Sequence, residues 1–435
     1  MGKLMSIVIV LVFFAVTSSA LAGDFDLTKF GLKPAESYDF GGATVTIISW
    51  TSERMANYFR DNLVVQGRVE EAERIFNCKI EWMQTRDIPG VNFARLLSGD
   101  SVNDLWHVQN KIGYYQLASQ NALYPVEELL PAEYWENLPP VLKKIEEAMM
   151  YQGKIWGIGP VEYRPIFGYI PNITFVAYNK DLFEANSLPD LYELYLEGAW
   201  TWGAAIEVAV NATVDLDGDG VFDQWGMVDV RPWYLAASNG AYLTRTDADG
   251  KVIFTGDEPG FIEALEQVRE WHQLGVISPT GGFLDRTGAM HFNVGGGEFV
   301  TLKNNMTDDW AIVPYPKGPR VDEYQWIVDG ASTTVLPVNA QDPEALVALK
   351  TFLWREEDVS VSDVLATHVA NEQSAQVFLT GQQLWNGICY YLFPDYLGTF
   401  SADLQLIYRG EKSAVGAMAE LKPVVQANLN DLLKQ

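Results

Sequence analysis

The chain has 435 residues, of which 48% are hydrophobic and 20% are charged, and this composition is typical of a globular protein rather than a disordered one. Its length predicts two domains. The formal net charge of −27, from 30 basic and 57 acidic residues, argues against nucleic acid and against anionic lipid as partners.

The first residues have the pattern of a secretory signal peptide. Lys3 precedes a run of ten apolar residues, 7–16, which is shorter than the about 20 residues of a membrane helix. The Ala20-Leu21-Ala22 stretch offers a cleavage site, and no cysteine follows it to carry a lipid anchor. We therefore expect cleavage near Ala22 and a mature protein that is periplasmic or secreted. An uncleaved anchor helix is the alternative.

The next part of the chain alternates strand and helix patterns. Runs rich in β-branched and apolar residues predict strands at 43–50, 78–83 and 104–108, and helical spacing predicts helices between them. Strands separated by helices pair mostly in parallel, so this order predicts a mostly parallel sheet covered by helices.

The second half predicts further α/β structure. Residues 173–188 predict a strand that passes into a helix, with Asn179 or Asp181 as its N-cap. The clearest helix covers 257–275, with Pro259 near its start and Gly275 at its end. Two more helices are predicted, at 342–354, where Asp342 is the N-cap, and at 402–433.

The stretch "VDLDGDGVFDQWG", 214–226, has the spacing of the first part of an EF-hand calcium loop. Alternate carboxylates can converge on one hard cation, and without a cation they would repel one another. Position 12, a bidentate glutamate in an EF-hand, is Gly226 here, and Gln224 is the alternative donor. An acidic, solvated turn is the competing interpretation. The predicted structural Ca²⁺ ligands are Asp215, Asp217, Asp219, the carbonyl of Val221, Asp223 and Gln224.

Common catalytic motifs are absent from the sequence. It contains no G-x-S-x-G, no phosphate loop and no dinucleotide-binding fingerprint after a strand. Four His and two Cys without an HExxH or CxxC cluster make a zinc site improbable. Cys78 and Cys389 could pair in an exported protein, although isolated buried thiols are favoured. A two-carboxylate glycosidase is not excluded, and Glu162 and Glu298 are candidates for it.

Four tryptophans lie in or next to predicted strand ends and loops: Trp50, Trp106, Trp233 and Trp326. Ligands of open α/β sheets bind beyond the carboxyl ends of strands, where such rings can stack on flat ligands such as sugars. Each ring alone is more typical of a core. As a group, they predict that some of them contact a ligand.

Several segments, in this order, resemble extracellular solute-binding proteins of ABC importers, the family 1 group that includes maltose-binding protein. The matching pieces include "YDFGGATVTIISW", "NALYPVEELLP", "ITFVAYNKDLFEANSLPD", "WTWGAAIEVAV" running into "DLDGDGVFDQWGM", "WAIVPYPKGP" and "ASTTVLPVNAQDPEALVALKTFLW". The aspartate loop is similar to a calcium loop found in part of this family. The resemblance covers most of the predicted mature chain.

The resemblance implies a type II periplasmic-binding-protein fold, with two α/β lobes, each built on a mostly parallel sheet, and a ligand cleft between them. Lobe one would comprise 24–170 plus 315–355, and lobe two 171–314 plus 356–435. The family most often binds mono- or oligosaccharides, closes over them by a population shift and delivers them to a membrane permease. The resemblance therefore implies a binder that is not an enzyme, acting as a monomer.

The resemblance also implies ligand-binding residues. The loop after the first strand contributes Trp50, Thr51 and Ser52, and Trp106 lies within the third strand. The second-lobe segment "VDVRPWYLAASNGAY" contributes Asp229, Arg231, Trp233 and Asn239, and Phe299 follows "VGGG". Residues near the return to lobe one and in the C-terminal part complete the set: Trp326, Asp329, Tyr391 and Tyr396.

Two other functions remain open. One is a secreted carbohydrate-active hydrolase or lyase, and the other is an importer receptor for a solute that is not a sugar. Arg231 and Arg164 could meet an acidic sugar, although pairing with neighbouring carboxylates is the favoured interpretation for both. The sequence does not decide between a neutral and an acidic ligand.

Overall fold

The computed structural model describes residues 25–61, 65–99, 102–110, 113–138, 140–159, 172–249, 251–355, 364–366, 368–385 and 396–434. Within these residues the chain forms two four-stranded sheets with helices packed around them. We call the first sheet with its helices lobe one and the second sheet with its helices lobe two. No helix in the described ranges is both long enough and apolar enough to cross a membrane.

Lobe one is built on the sheet order β12-β3-β1-β2. Strand β1 pairs in parallel with β2 and β3, and β12 pairs with β3 in the antiparallel direction. Five of the six residues of β1 are buried, as expected for a central strand covered on both faces. The elements of this lobe are β1 (Thr44–Ser49), α1 (Ser52–Asp61), α2 (Arg68–Ile75), β2 (Lys79–Gln84), α3 (Ile88–Leu97), β3 (Asp104–Gln109), α4 (Tyr114–Ser119), α5 (Ala132–Glu136), α6 (Pro140–Ala148), β12 (Ser332–Val335) and α13 (Pro343–Leu353).

Lobe two is built on the sheet order β10-β5-β9-β6. The elements before the return to lobe one are β5 (Phe175–Asn179), α7 (Lys180–Ala185), α8 (Leu191–Leu196), α9 (Trp202–Ala212), β6 (Trp225–Val228), α10 (Pro232–Ala237), β7 (Thr244–Thr246), β8 (Val252–Phe254), α11 (Pro259–Gln273), β9 (Gly288–Val294), α12 (Gly297–Asn305) and β10 (Trp310–Val313). The described residues after α13 include the helices α14 (Glu372–Leu384), α15 (Tyr396–Tyr408) and α16 (Ala414–Leu433).

The second sheet differs from the mostly parallel sheet that the sequence predicted. Strands β6 and β9 are parallel, but β5 pairs with both β9 and β10 in the antiparallel direction. Apolar, β-branched residues specify that a strand is buried, but they do not specify the direction in which it pairs. The α/β fold itself is confirmed.

A short two-stranded ladder joins the two sheets. Strand β4 (Asn172–Ile173) pairs antiparallel with β11 (Val328–Gly330), and Thr174 N–H donates to the Ile327 carbonyl at 2.9 Å. One residue separates β4 from β5, and one residue separates β11 from β12, so the ladder leads directly into both sheets. The predicted lobe boundaries stay a prediction, because the segments 160–171 and 356–363 lie outside the described residues.

The last helix, α16, contacts both halves of the molecule. Its Gln426 side chain bonds the backbone of β8, donating to Val252 and accepting from Phe254. At its other end, the Tyr151 hydroxyl donates to the Leu433 carbonyl at 2.7 Å, and Tyr151 lies just after α6 of lobe one. Helix α16 therefore connects lobe two with lobe one.

Candidate functional site

The ladder brings corresponding edges of the two sheets together. Strands β5 and β12 both begin at the ladder, so their antiparallel neighbours β9 and β3 end there. Strand β6 runs parallel to β9, and β1 runs parallel to β3, so these strands end at the same edges. The carboxyl ends of the parallel strands of both lobes therefore lie beside the β4–β11 ladder, which we call the hinge. Open α/β sheets bind their ligands at the carboxyl ends of their strands.

Asp229 follows β6 at this edge of lobe two. Its φ of 52° lies in the left-handed region, which is uncommon for a residue other than glycine and is a mark of functional sites. One carboxylate oxygen lies 2.5 Å from the Arg231 guanidinium, and the other accepts from the Asn293 amide at 2.6 Å. Asn293 belongs to β9, the parallel neighbour of β6, so the pairing of the two strands creates this contact.

Arg231 and Trp233 extend the site along the start of α10. Pro232 occupies the first helical position, where its missing N–H costs no hydrogen bond. The Arg231 guanidinium lies 5.8 Å from the centroid of the Trp233 ring, in the range of a cation–π contact. Trp233 is partly buried and also packs 6.2 Å from Phe400 of α15. The side chains of Asp229, Arg231 and Trp233 thus form one connected set.

Asp329 in β11 links the hinge to lobe two. Its carboxylate accepts from the Tyr234 hydroxyl at 2.5 Å and from the Asn172 amide at 3.4 Å. Tyr234 lies on α10 and Asn172 on β4, so the carboxylate joins three elements. The bond from Tyr234 therefore ties lobe two to β11, the strand through which the chain returns to lobe one.

Two titratable groups near Asp229 have shifted pKa values. Burial lowers the pKa of His291 to about 4; the Asp229 charge opposes this shift and the Arg231 charge adds to it. His291 is therefore neutral near pH 7. Burial and then the charge of Asp229 raise the pKa of Glu298, which lies in the first turn of α12. We call Asp229, Arg231, His291, Asn293, Glu298 and Asp329 the hinge cluster.

The edge of lobe one carries the loop after β1. Trp50 is partly buried, with its ring 4.7 Å from that of His107 on β3. The Thr51 hydroxyl is buried and lies 3.0 Å from the Ser49 hydroxyl. Ser52 is fully buried at the start of α1, and its hydroxyl donates to the carbonyls of Ile47 and Met83, so it joins the helix to two strands. Of these three residues, only Trp50 is partly exposed at this edge of the sheet.

Besides Thr51 and Ser52, the structure places four more of the predicted ligand contacts in the interior. Trp106 is fully buried in β3, with its indole nitrogen 3.3 Å from the Asp104 carboxylate, and Phe299 packs between Phe175 and Phe378. Both side chains are buried, and the sequence pattern alone did not distinguish a buried ring from a ring at the cleft edge.

Asn239 and Trp326 are also interior residues. The Asn239 amide donates to the Gly260 carbonyl and accepts from the Arg320 N–H, so both of its ends bind the protein itself. Trp326 is 6% exposed and packs against Phe175 and Tyr195. Tyr391, Glu162 and Arg164 lie outside the described residues, and Tyr396 begins α15 with a side chain that the structure does not describe.

The aspartate loop lies at the opposite end of β6 from Asp229. A bridge between Val214 and Gln224 closes it, and oxygens of Asp215, Asp217 and Asp223 lie within 4.8 Å of one another. Asp215 accepts the backbone N–H groups of two loop glycines, at 2.7 and 2.8 Å, and these bonds lower the pKa of its carboxyl. Backbone N–H groups of the loop thus help to hold the three carboxylates close together.

Two other predicted side-chain ligands have separate contacts. The Asp219 carboxylate accepts from the Val221 N–H at 2.8 Å and is not one of the three grouped side chains. Gln224 is 4% exposed, and its amide donates to the Ala212 carbonyl at the end of α9. The structure thus uses Gln224 to anchor the loop to α9.

A side chain at position 12 has no room. A Cβ at Gly226 would lie 2.3 Å from the carbonyl oxygen of Ala209, because β6 packs directly on α9 at this point. At the position of the EF-hand glutamate, the backbone of Gly226 therefore lies directly against the backbone of Ala209.

The family model for bacterial extracellular solute-binding proteins matches residues 92–359, which is more than half of the chain. The chain belongs to this family. Members of the family are binding proteins, and their extracellular location is part of the family description. No curated protein matches this solute-binding protein by sequence.

Solved structures similar to this solute-binding protein share its fold at low sequence identity. A sugar transporter of Rhizobium etli in an open conformation has a TM-score of 0.67 at 15% identity, with 88% of this chain and 99% of that chain covered. The cyclic α-maltosyl-1,6-maltose binding protein of Arthrobacter globiformis has a TM-score of 0.64 at 15% identity, with 90% and 100% covered. The maltose/maltodextrin-binding domain of Bdellovibrio bacteriovorus, bound to maltotriose, has a TM-score of 0.60 at 16% identity, with 89% and 100% covered. These similarities confirm the two-lobed fold.

Sequence reasoning missed several polar residues at the hinge of this solute-binding protein. Asn172, Tyr234, His291 and Asn293 were not singled out, although each contacts or neighbours a predicted site residue. Tyr234 directly follows Trp233 in the sequence, and Asn293 ends the strand pattern before "VGGG". Polar residues at the carboxyl ends of strands were the available signal.

Proposed function

We propose that this protein is the substrate-binding component of an ABC importer and that it captures a mono- or oligosaccharide in the cleft at the hinge. The observation that carries this proposal is the hinge cluster. Asp229 and Asn293 join the ends of β6 and β9, and Arg231 lies beside the Trp233 ring. Asp329 of the hinge accepts from Tyr234, the residue after Trp233. Family membership supports solute capture, and the sugar ligands named for the similar structures support a carbohydrate.

The chemistry of the cluster suits hydroxyl-rich ligands. Asp229 and Asp329 accept from sugar hydroxyls, while the amide of Asn293 and the hydroxyl of Tyr234 fix the directions of those carboxylates. Trp233 and Trp50 supply rings that stack on the apolar faces of a sugar. A site built to pair with hydroxyl groups rejects analogues that lack them, because its buried polar groups then stay unpaired.

Ligand contacts to both lobes favour a closed form, which the membrane permease of the importer recognises. The β4–β11 ladder is the hinge, since it leads into both sheets within one residue. The protein works as a periplasmic or secreted monomer after cleavage of its signal peptide near Ala22. Size-exclusion chromatography and mass determination of the exported protein test these two statements.

The loop at 215–223 holds a structural Ca²⁺ ion in this proposal. The donor set fits a hard cation, because three carboxylates lie close together and hard cations prefer oxygen ligands. Asp215, Asp217 and Asp223 would hold the ion, with Asp219 and the Val221 carbonyl as further oxygens of the same loop. The ion would remove the repulsion among the carboxylates and fix the connection between α9 and β6.

The experiment that tests the function is a thermal-shift screen of the mature protein against neutral, acidic and amino glycans, followed by calorimetry of each hit. A ligand that binds only the folded protein raises the melting temperature by mass action. A saturable shift with at least one glycan, with no turnover of that glycan over hours, is the expected result. Turnover would favour the hydrolase or lyase alternative, and a panel in which no glycan shifts the melting temperature would overturn the carbohydrate assignment.

A further inference from the structure

The hinge cluster is an electronegative site. Its carboxylates are Asp229, Glu298 and Asp329, and its one cationic side chain is Arg231, since burial keeps His291 neutral near pH 7. The Asp329 carboxylate accepts hydrogen bonds from the hydroxyl of Tyr234 and from the amide of Asn172. The cluster thus has more negative than positive charge.

The one cation of the cluster is already engaged. The Arg231 guanidinium lies 2.5 Å from Asp229, and the face of Trp233 lies beside it at 5.8 Å. Asn293 holds the second oxygen of Asp229 at 2.6 Å, so this carboxylate is fixed in place beside the guanidinium. An anionic ligand at Arg231 would have to approach a carboxylate of the same charge.

Within the described residues, the amino ends of helices are a second feature that could attract an anion. Helix α12 begins after β9 at this edge, and Glu298 lies in its first turn. At the edge of lobe one, α1 has Glu53 in its first turn, and the Asp87 side chain caps α3 by accepting from the Gly90 N–H. At each of these three helices, a carboxylate of the chain complements the positive end.

We propose that the cleft selects glycans that carry no negative charge, and that Asp229 enforces this selection by engaging Arg231 and repelling carboxylates. The inference rests on the proposed carbohydrate-binding function and names its ligand class as uncharged sugars and amino sugars. Hydroxyl and ammonium groups donate to the carboxylates of the cluster, whereas a uronate or a sulfated sugar places like charges together.

The test compares matched sugars on the wild type and three variants by calorimetry. The sugars are glucose, glucosamine and glucuronate, the three galactose counterparts, and maltotriose against trigalacturonate. Asp229→Asn is the principal variant, because asparagine tolerates the left-handed backbone at this position and still bonds Asn293. Asp329→Asn is the second variant. Glu258→Gln is the matched control, as it breaks a surface pair with Arg245 of similar length, 2.8 Å.

For the wild type we expect affinity for a neutral or amino sugar to exceed that for its acidic counterpart by at least about tenfold. Asp229→Asn should reduce this ratio by about tenfold, Asp329→Asn should also reduce it, and Glu258→Gln should leave it unchanged. Wild-type binding of a uronate as tightly as its neutral counterpart overturns the inference and leaves the proposed function standing. An unchanged ratio in Asp229→Asn overturns the role of that residue. A panel in which no glycan binds removes the proposed function together with the inference.

Discussion

Glu146 of α6 gives the protein a pH-dependent stability that can be isolated by one substitution. The side chain is 1% exposed, and one carboxylate oxygen accepts from the Thr333 hydroxyl at 2.6 Å and from the Gly159 N–H at 2.8 Å. Burial raises the pKa of Glu146 from its ordinary value of 4.5 to about 7, against the opposing effects of these two bonds and of the Lys350 charge. The group is therefore protonated in the folded protein over a range where it is ionised in the unfolded chain.

The sign of the effect follows from proton uptake. Between about pH 4.5 and pH 7 the folded state holds a proton that the unfolded state has lost, so the free energy of unfolding falls as the pH rises. The two pKa values differ by about 2.5, and at about 1.36 kcal/mol per pH unit the total loss is roughly 3 kcal/mol. Below this window and above it, this group contributes no pH dependence.

Glu146→Gln keeps the size of the side chain and removes its titration. We expect the unfolding free energy of the variant, relative to the wild type, to rise by about 2–3 kcal/mol between pH 5 and pH 8. Other titrating groups are common to both proteins and cancel in this difference. Urea unfolding followed by tryptophan fluorescence at four pH values measures it.

The matched control is Glu147→Gln, which removes a carboxylate from an exposed position next in the sequence. We expect it to change the unfolding free energy by less than about 0.5 kcal/mol at each pH. A difference between Glu146→Gln and the wild type that stays constant from pH 5 to pH 8 would refute the reasoning, because it would mean that the buried carboxyl ionises as it does in water.

Three further predictions concern the loop and the hinge. A chelator should lower the melting temperature of the wild type by several degrees and should have no effect on that of Asp217→Ala. Differential scanning fluorimetry with and without added Ca²⁺ measures both. An equal response of the two proteins would contradict the calcium site. Gly226→Ala should cost about 1–3 kcal/mol of stability, because its Cβ would meet the Ala209 carbonyl at 2.3 Å, and a variant as stable as the wild type in urea would contradict this close contact. Tyr234→Phe removes the donor to Asp329 and should weaken the binding of a glycan hit by about 1–3 kcal/mol in calorimetry, and an unchanged affinity would contradict the proposed role of Asp329.

Local features of the fold were predictable from the sequence. Asn179 and Asp342 cap α7 and α13 through their side chains, at 3.0 Å in both cases, as predicted. Pro259 begins α11, and Gly275 follows its end with a φ of 72°. Each of these features depends on residues within one or two turns of each other, so the sequence pattern contains the whole cause.

The site was only partly predictable because its contacts are long-range. Asp229 and Asn293 are 64 residues apart, and they meet only because β6 pairs with β9 in parallel. Asp329 and Tyr234 are 95 residues apart and meet through the hinge ladder. A tryptophan in a strand pattern, such as Trp106, has the same signature whether its face of the sheet is core or cleft, and only the packed structure distinguishes the two.

Strand β6 connects the aspartate loop with Asp229, and its surroundings explain how the unusual backbone at Asp229 is maintained. The strand has four residues, and it is held by β9 on one side and, at Met227, by backbone bonds to Val276 and Ser278. At its start, Gly226 packs against α9, and Gln224 anchors the preceding loop to the end of that helix. A left-handed residue other than glycine persists only where its surroundings determine its conformation. Because β6 is fixed at its start and along its length, the strain at Asp229 is held in place, and its carboxylate can stay between Arg231 and Asn293 before any ligand arrives.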